Sequence, residues 1–595
     1  MKHLYKLNMN GLDASNQFEC LNFINMMMGI FGIKRIYRLI QNDVEYSNDT
    51  ITINIKNVLN KFEKFIENKN DKDIGIFISI LKRLNEHVIT IIVEDLYVDS
   101  EYRDSYYMHY AEEHQEKTRF CKRVHIFKYY KKLYSDHKSY ISTRDAAQLQ
   151  NNFIGSIVIK PLEGYSIGRT LLSAKYFSDL KGVYIREANY SIGYSGVQLD
   201  VNAFPYRMQD RITTSCSEVS LLNLFDYYSN RYSNYHNMLP SDIFEITRRY
   251  NDDRIMPVRG LTYKSISKVL YESRFTPRIY TLLSTENITK IASQAIEFDE
   301  KLHIVQPTSV LDYYIESGIP VIMGLHTDPK FSRQSHCVIC VGHGRCSDIT
   351  KANAEPMKTK IDEQDSIIYV IDICKQRTQL IIQDDSHGPY IIADKKANTN
   401  LEDNRNSLED WNLKWGNNEL SVGAIVVPLY RRMFMDARKA FIVIKEMLNY
   451  MFNQDKNIFD GHGESLENPI AYRLFLTRSR SLKRTRLNYF RTQRFNADIK
   501  KIYNAYDNIQ MPKFIWVCEL YSIEGYNNKE QRQPFGEIIL DATYPLETKK
   551  SIMLTLCSRS IFIGNEVENK DFGQLKKYKL NGDFKLCAHK NLKEI

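Results

Sequence analysis

The sequence predicts a mixed α+β protein built from several domains. Three observations carry that expectation. Apolar residues recur at helical spacing in some stretches, as Val219, Leu222 and Phe225 do. Other stretches, such as 87–98 and 153–162, are β-branched runs of strand length. The 595 residues leave room for three or four units at ~150 residues each. Boundaries near 195 and 430 divide the chain into a mixed α+β region (1–195), a central region (196–430) and a C-terminal α+β region (431–595).

Composition narrows the class of protein. Hydrophobic content of 43% with 26% charged residues is ordinary for a soluble globular chain and argues against a disordered or fibrous one. The net charge of +9 is mild over this length and does not by itself call for nucleic acid. Ten cysteines are scattered without a regular framework, which favours reduced thiols and a cytoplasmic home. The N-terminus has no apolar core of a signal peptide. The longest apolar run near it, 23–33, is interrupted by Asn25, Gly29 and Gly32 and falls short of the ~20 residues a membrane span needs. No membrane partner and no cofactor are expected.

The elements follow in chain order. Residues 58–66 have helical spacing, 87–98 read as a strand, and 106–134 read as a charged, aromatic helix. His109 and His114 lie five positions apart, so their rings would sit about 140° apart on a helix, unlike the i, i+4 pair that binds zinc. Residues 153–162 form a buried strand ended by Pro161, and a strand pair runs over 183–201. Helices begin at Pro240 and over 263–272. A short helix, 310–317, closes on Gly318, and strands follow at 319–325 and 335–344. A third strand ends at Asp384 and Asp385, ahead of the turn 386–390. The polar stretch 395–419 reads as an exposed loop and 424–429 as a last strand. The C-terminal region opens with a helix over 437–452 and has strands at 512–520 and 535–543.

The stretch 209–228 carries the chemistry. Ser215 is a good N-cap and Glu218 follows three residues later, the pattern of a capping box. Cys216 then opens the helix, where free N–H groups and the positive end of the helix dipole converge and favour a thiolate. Glu218 also brings a negative charge near that thiol. A nucleophilic thiol needs an imidazole, and the imidazole needs an orienting group. His336 begins a strand, and Asp384 and Asp385 end the next one, where either could reach the ring; Asp384 follows the strand directly and is favoured. The side-chain amide of Gln209, with the Cys216 N–H, could stabilise an oxyanion.

In this order and context, the residues resemble the papain-like cysteine peptidase superfamily, nearer to its bacterial C39-like branch. The likeness covers residues 200–430 and rests on Gln209–Asp210 before Cys216, the strand 318–322, the strand 335–342 and the segment 384–390. It implies a papain-like central domain, with a helix-borne cysteine packed on an antiparallel sheet. It also implies Gln209 as oxyanion donor, Cys216 as nucleophile, His336 as general base and acid, and Asp384 or Asp385 as orienter.

Two other features compete. His336, Cys337, Cys340, His343 and Cys346 crowd into eleven residues, but strand alternation puts Cys337 and Cys340 on opposite faces, against shared zinc ligation. Arg473, Arg478, Arg480, Lys483, Arg484, Arg486, Arg491 and Arg494 interleave with Tyr489, Phe490 and Phe495, a composition suited to single-stranded nucleic acid or an acidic partner protein. The expectation is a cysteine hydrolase acting on a peptide or isopeptide bond of a protein substrate. The same site used for transamidation or deamidation, and a non-enzymatic binding subunit working through residues 473–494, stay open. A place in a bacterial defence or toxin system is compatible with the hydrolase reading, although no residue shows it.

Overall fold

The computed structural model describes residues 2–8, 17–40, 44–47, 50–53, 71–86, 88–114, 116–128, 143–250, 256–281, 307–326, 336–345, 347–361, 364–397, 411–454, 456–493, 496–528, 532–544, 549–564, 575–580 and 584–595. Among them the fold is mixed α+β, and every strand pair but one is antiparallel.

The N-terminal sheet forms from Ile- and Val-rich runs. β1 (Lys2–Asn8) is followed by a small hairpin of β2 (Val44–Ser47) and β3 (Thr50–Ile53). β4 (Val88–Tyr97), β5 (Cys121–Lys128), β6 (Phe153–Ile159) and β7 (Ile167–Leu172) then join β1 in the order β1-β4-β5-β6-β7. The helix Lys72–Arg83 buries Ile76, Phe77 and Ile80 in the same core. The short β8 (Tyr184–Ile185) and the hairpin of β9 (Ala188–Tyr194) and β10 (Val197–Ala203) lead to the helix Cys216–Arg231.

The central sheet closes on itself. Its strands are β11 (Phe275–Thr281), β12 (Val321–His326), β13 (His336–His343), β16 (Gln379–Asp384), β17 (Gly388–Ala397), β18 (Trp411–Trp415) and β19 (Asn418–Tyr430), with β14 (Glu355–Ile361) and β15 (Gln364–Asp372) inserted between β13 and β16. β12 pairs with both β13 and β19, so β12-β13-β16-β17-β18-β19 form a six-stranded antiparallel barrel. β11 extends it beside β19, and β8 beside β13. At that last junction a Cβ on Gly342 would lie 2.1 Å from the Tyr184 carbonyl oxygen, so only glycine lets the two backbones approach.

β14 and β15 leave the barrel. β15 runs parallel to β20 (Ile470–Arg478), the first strand of a C-terminal sheet completed by β21 (Phe514–Tyr521), β22 (Gly536–Asp541), β23 (Ile552–Cys557), β24 (Ser560–Ile563) and β25 (Lys576–Lys579). β26 (Lys593–Glu594) returns to pair with β8.

Alternation along the barrel strands builds two cores. Ile322, Cys337, Ile339, Ile381 and Val426 pack with the N-terminal sheet and the helix Cys216–Arg231. Val321, Met323, Val338, Cys340, Leu380 and Ile382 pack with the helices Pro307–Glu316 and Ala437–Gln454 and with the C-terminal sheet. The helix Pro307–Glu316 ends where Gly318 takes φ +69°, with the Gly318 N–H donating to the Ile315 carbonyl at 2.9 Å.

Several expectations change. Residues 106–134 are not one helix. The helix Ser100–Met108 ends there, and Cys121–Lys128 is a strand whose apolar residues Val124, Ile126 and Phe127 are wanted by the sheet. The polar stretch 395–419 is in part β17, β18 and β19, because an antiparallel strand can carry polar residues on the face turned to water; residues 398–410 lie outside the described set, as does the helix expected at 58–66. The last strand is longer than 424–429 and begins at Asn418. The basic stretch 473–494 is not one exposed face. Arg473 and Arg486 are buried and paired with Glu316, Glu519 and Glu537, since a buried guanidinium needs a facing carboxylate. Arg494 and Phe495 lie outside the described residues. Among the described residues, no helix is long and apolar enough to cross a membrane.

Candidate active site

The loop before Cys216 is shaped by one buried carboxylate. Asp210 Oδ1 accepts the N–H groups of Ile212 (2.9 Å), Thr213 (2.8 Å) and Thr214 (2.8 Å), and Oδ2 accepts the Thr213 hydroxyl. Burial alone would raise this carboxyl; Lys160 and these hydrogen bonds outweigh burial and hold it below its usual range. Ser215 is extended, and its N–H donates to the Glu218 carboxylate at 2.7 Å, closing the capping box expected from the sequence. The charge of Glu218 is thereby spent on the cap. Ser217 is also structural, with its hydroxyl accepting the Leu261 N–H at 2.8 Å.

Cys216 occupies the first position of the helix and is half-buried. Among the other cysteines whose side chains are described, only Cys587 is comparably accessible. Burial raises the thiols of Cys340, to about 12, and of Cys121, Cys374, Cys518 and Cys557, which makes them inert packing groups.

β13 packs against this helix and delivers His336, whose ring lies beside the Cys216 side chain. Its Nε2 lies 2.8 Å from Asp384 Oδ1 and 3.7 Å from Asp385 Oδ1. Burial alone would lower the His336 ring; Asp384, the Cys216 side chain and the charge of Asp385 outweigh it and hold the ring well above its usual range.

The two carboxylates have opposite surroundings. Asp384 Oδ1 also accepts the Ser386 N–H at 2.9 Å, and Oδ2 accepts His387 Nδ1 at 2.6 Å and Trp415 Nε1 at 2.9 Å. Asn418 Nδ2, 3.0 Å from His387 Nε2, holds that second ring with Nδ1 towards the carboxylate. Burial would raise Asp384, but His336 and then His387 hold it well below the carboxylate range. Asp385 is buried with neither oxygen hydrogen-bonded, and burial pushes it up to about 6 against the pull of His336. The nearby Lys72 amine is lowered by burial, an effect partly opposed by Asp384 and Asp385.

Sequence expectations can be placed residue by residue. Cys216, His336 and Asp384 come together at one site, and Asp384, not Asp385, is hydrogen-bonded to the ring. Gln209 is half-buried on the loop seven residues ahead of the thiol, and among the described residues its amide makes no hydrogen bond. His387, Trp415 and Asn418 were not expected. His387 stands three residues from Asp384 in a turn, the one local signal available; the other two arrive from strands of the barrel and leave no trace in nearby sequence. Ligand atoms of His336, Asp384 and Asp385 come within 4.8 Å of one another. The lone pairs of Asp384 are, however, already filled by four N–H donors, which leaves a cation little to bind. Cys337 and Cys340 enter different cores, as alternation requires, and Cys346 lies outside the described residues.

No protein-family model matches the chain, and no curated protein matches it.

Proposed function

We propose that the chain is a cysteine hydrolase of papain-like type that cleaves a peptide or isopeptide bond. The observation that carries this reading is the meeting of Cys216, His336 and Asp384 at one site, with His336 hydrogen-bonded to Asp384 and the cysteine opening a helix. In the reaction Cys216 Sγ attacks the carbonyl carbon, and the thiol proton passes to His336. The tetrahedral oxyanion takes hydrogen bonds from the Cys216 N–H and the Gln209 amide. His336 then protonates the leaving amine, and the C–N bond breaks to leave a thioester on Cys216. A water, deprotonated by His336, attacks the thioester and releases the acid. Asp384 holds the imidazole in one orientation and stabilises its cationic form throughout.

A peptidyl electrophile aimed at thiols tests this. Cys216 should be labelled in preference to Cys587, which is also half-buried, and His336→Ala should slow labelling at least a hundredfold. Equal labelling of the two cysteines, or indifference to His336→Ala, would overturn the reading.

A further inference from the structure

At the far end of the Cys216–Arg231 helix from the thiol lies a cavity of about 530 Å³. Six cations line it: Arg186, Arg231, Arg478, Arg480, Arg484 and Lys590. No Asp or Glu is among its lining residues, and none of the six has a carboxylate partner among the described residues. This contrasts with Arg473 and Arg486 nearby, each paired with glutamate.

Arg186 is the innermost of the six. Among the described residues its guanidinium donates to no carboxylate, only to the Tyr227 hydroxyl at 2.7 Å, the Tyr232 hydroxyl at 3.2 Å and the Asn591 carbonyl. Arg231 donates to the Glu187 carbonyl at 2.8 Å and to the Tyr232 hydroxyl at 3.3 Å. Arg478 lies 4.7 Å over the Tyr232 ring. The phenol of Tyr232 registers this field. Burial would raise it, but Arg186 and Arg231 outweigh burial and bring it below the usual tyrosine range. The helix Ser479–Thr492 adds its N-terminus, with no side-chain cap and no acid in its first turn, and Arg480 and Ser481 of that turn line the cavity.

A concentration of like charge is unfavourable unless a counter-anion fills it. Guanidinium groups suit phosphate, which accepts their paired N–H donors. One phosphate engages two or three such groups, whereas six line this open cleft, Arg186 half-buried and the other five exposed. We infer that the cavity is a binding site for a small molecule carrying two or more phosphate groups. The stacked rings of Tyr430 and Phe514, with centroids 4.5 Å apart, form an aromatic wall beside it. The inference does not depend on the chemistry at Cys216.

Inorganic tripolyphosphate is the probe, titrated calorimetrically into the full chain at physiological salt, with orthophosphate and a twelve-nucleotide single-stranded DNA as comparisons. Tripolyphosphate should bind at least tenfold more tightly than orthophosphate. The double variant Arg480→Glu/Arg484→Glu should weaken binding at least tenfold while the ligand-free melting temperature stays level or rises, because reversal relieves like-charge repulsion. No saturable binding below ~1 mM, or an unchanged affinity in the double variant, overturns the proposal. Tighter binding of the DNA than of tripolyphosphate, lost in the same variant, also overturns it and assigns the surface to nucleic acid.

Discussion

Asp384 and Asp385 are adjacent in the chain and differ in nearly everything that sets their chemistry. Four N–H donors surround Asp384, whereas neither oxygen of Asp385 is hydrogen-bonded. Asp384→Asn keeps the shape but loses the charge that stabilises the imidazolium. Turnover should fall by about 10²–10⁴ with little change in KM, and a steady-state comparison checks it. Equal kcat in the two proteins would remove Asp384 from the mechanism.

The pH dependence has a definite sign for each group. His336 is raised, so its contribution to stability is full below the unfolded value of about 6.5 and is lost as pH climbs through the folded one. Asp384 is depressed, so its contribution is full above about 3.9 and is lost as pH falls through its folded value. The pair therefore stabilises the fold across the neutral range. Asp385 acts in the opposite sense. Its folded value of about 6 exceeds the unfolded one, so ionising it costs stability as pH rises from about 4 to 6. Asp385→Asn should be more stable than the parent at pH 7, by on the order of 1–3 kcal/mol, and the gap should close by pH 4. Urea denaturation at the two pH values measures this; a gap that widens on acidification would refute it.

At the scale of elements, the Cys216–Arg231 helix is anchored at its N-terminus and again along its length, by different means. Its N-terminus hangs on the Asp210 loop and the Glu218 cap. Along its length, Asp226 is buried and clamped by Arg169 at 2.7 Å and Arg207 at 2.6 Å. Arg207 is itself buried and also bonds Glu101 and Asn223. This cluster ties the helix to β7 and to the helix Ser100–Met108 of the N-terminal region. Asp226→Ala would leave two guanidinium groups short of their main partner. It should destabilise the unit by about 3–5 kcal/mol, read as an earlier first transition in urea. Replacing it with no shift in that transition would show that the cluster is held by other contacts.

At the scale of the molecule, the segment 584–595 links the central sheet to the C-terminal one. β26 pairs with β8, the Asn591 carbonyl accepts from Arg186, and the carbonyls of His589 and Cys587 accept from Arg473 and Arg486. Leu586 and His589 are buried. Removing residues 584–595 should raise the rate of limited proteolysis at least tenfold, with new cuts in the C-terminal sheet. An unchanged digestion pattern would mean that the sheets hold one another without it.

What can be read from sequence here is what neighbouring residues decide. The N-cap at Ser215, Glu218 three positions on, the alternation of Cys337 and Cys340, and Gly318 after its helix are set by periods of two to four residues. Each has its counterpart in the fold. The mixed α+β class follows from the same local periodicities. Closure of the barrel does not, because pairing β12 with both β13 and β19 depends on strands nearly a hundred residues apart. Strand position already favoured Asp384 over Asp385, but the surroundings that separate them are tertiary. A one-residue step along the chain sends the two carboxylates into different surroundings, and the packing of β13, β18 and the turn before β17 brings His336, Trp415 and His387 to Asp384. The basic stretch 473–494 makes the same point in reverse. Composition shows its charge, but burial beside Glu519 and Glu537 consumes two of its arginines, and convergence with Arg186 and Arg231 redirects others into a cavity. Local sequence selects the elements because their energetics are short-ranged; long-range contacts select which charges are neutralised and which are left facing solvent.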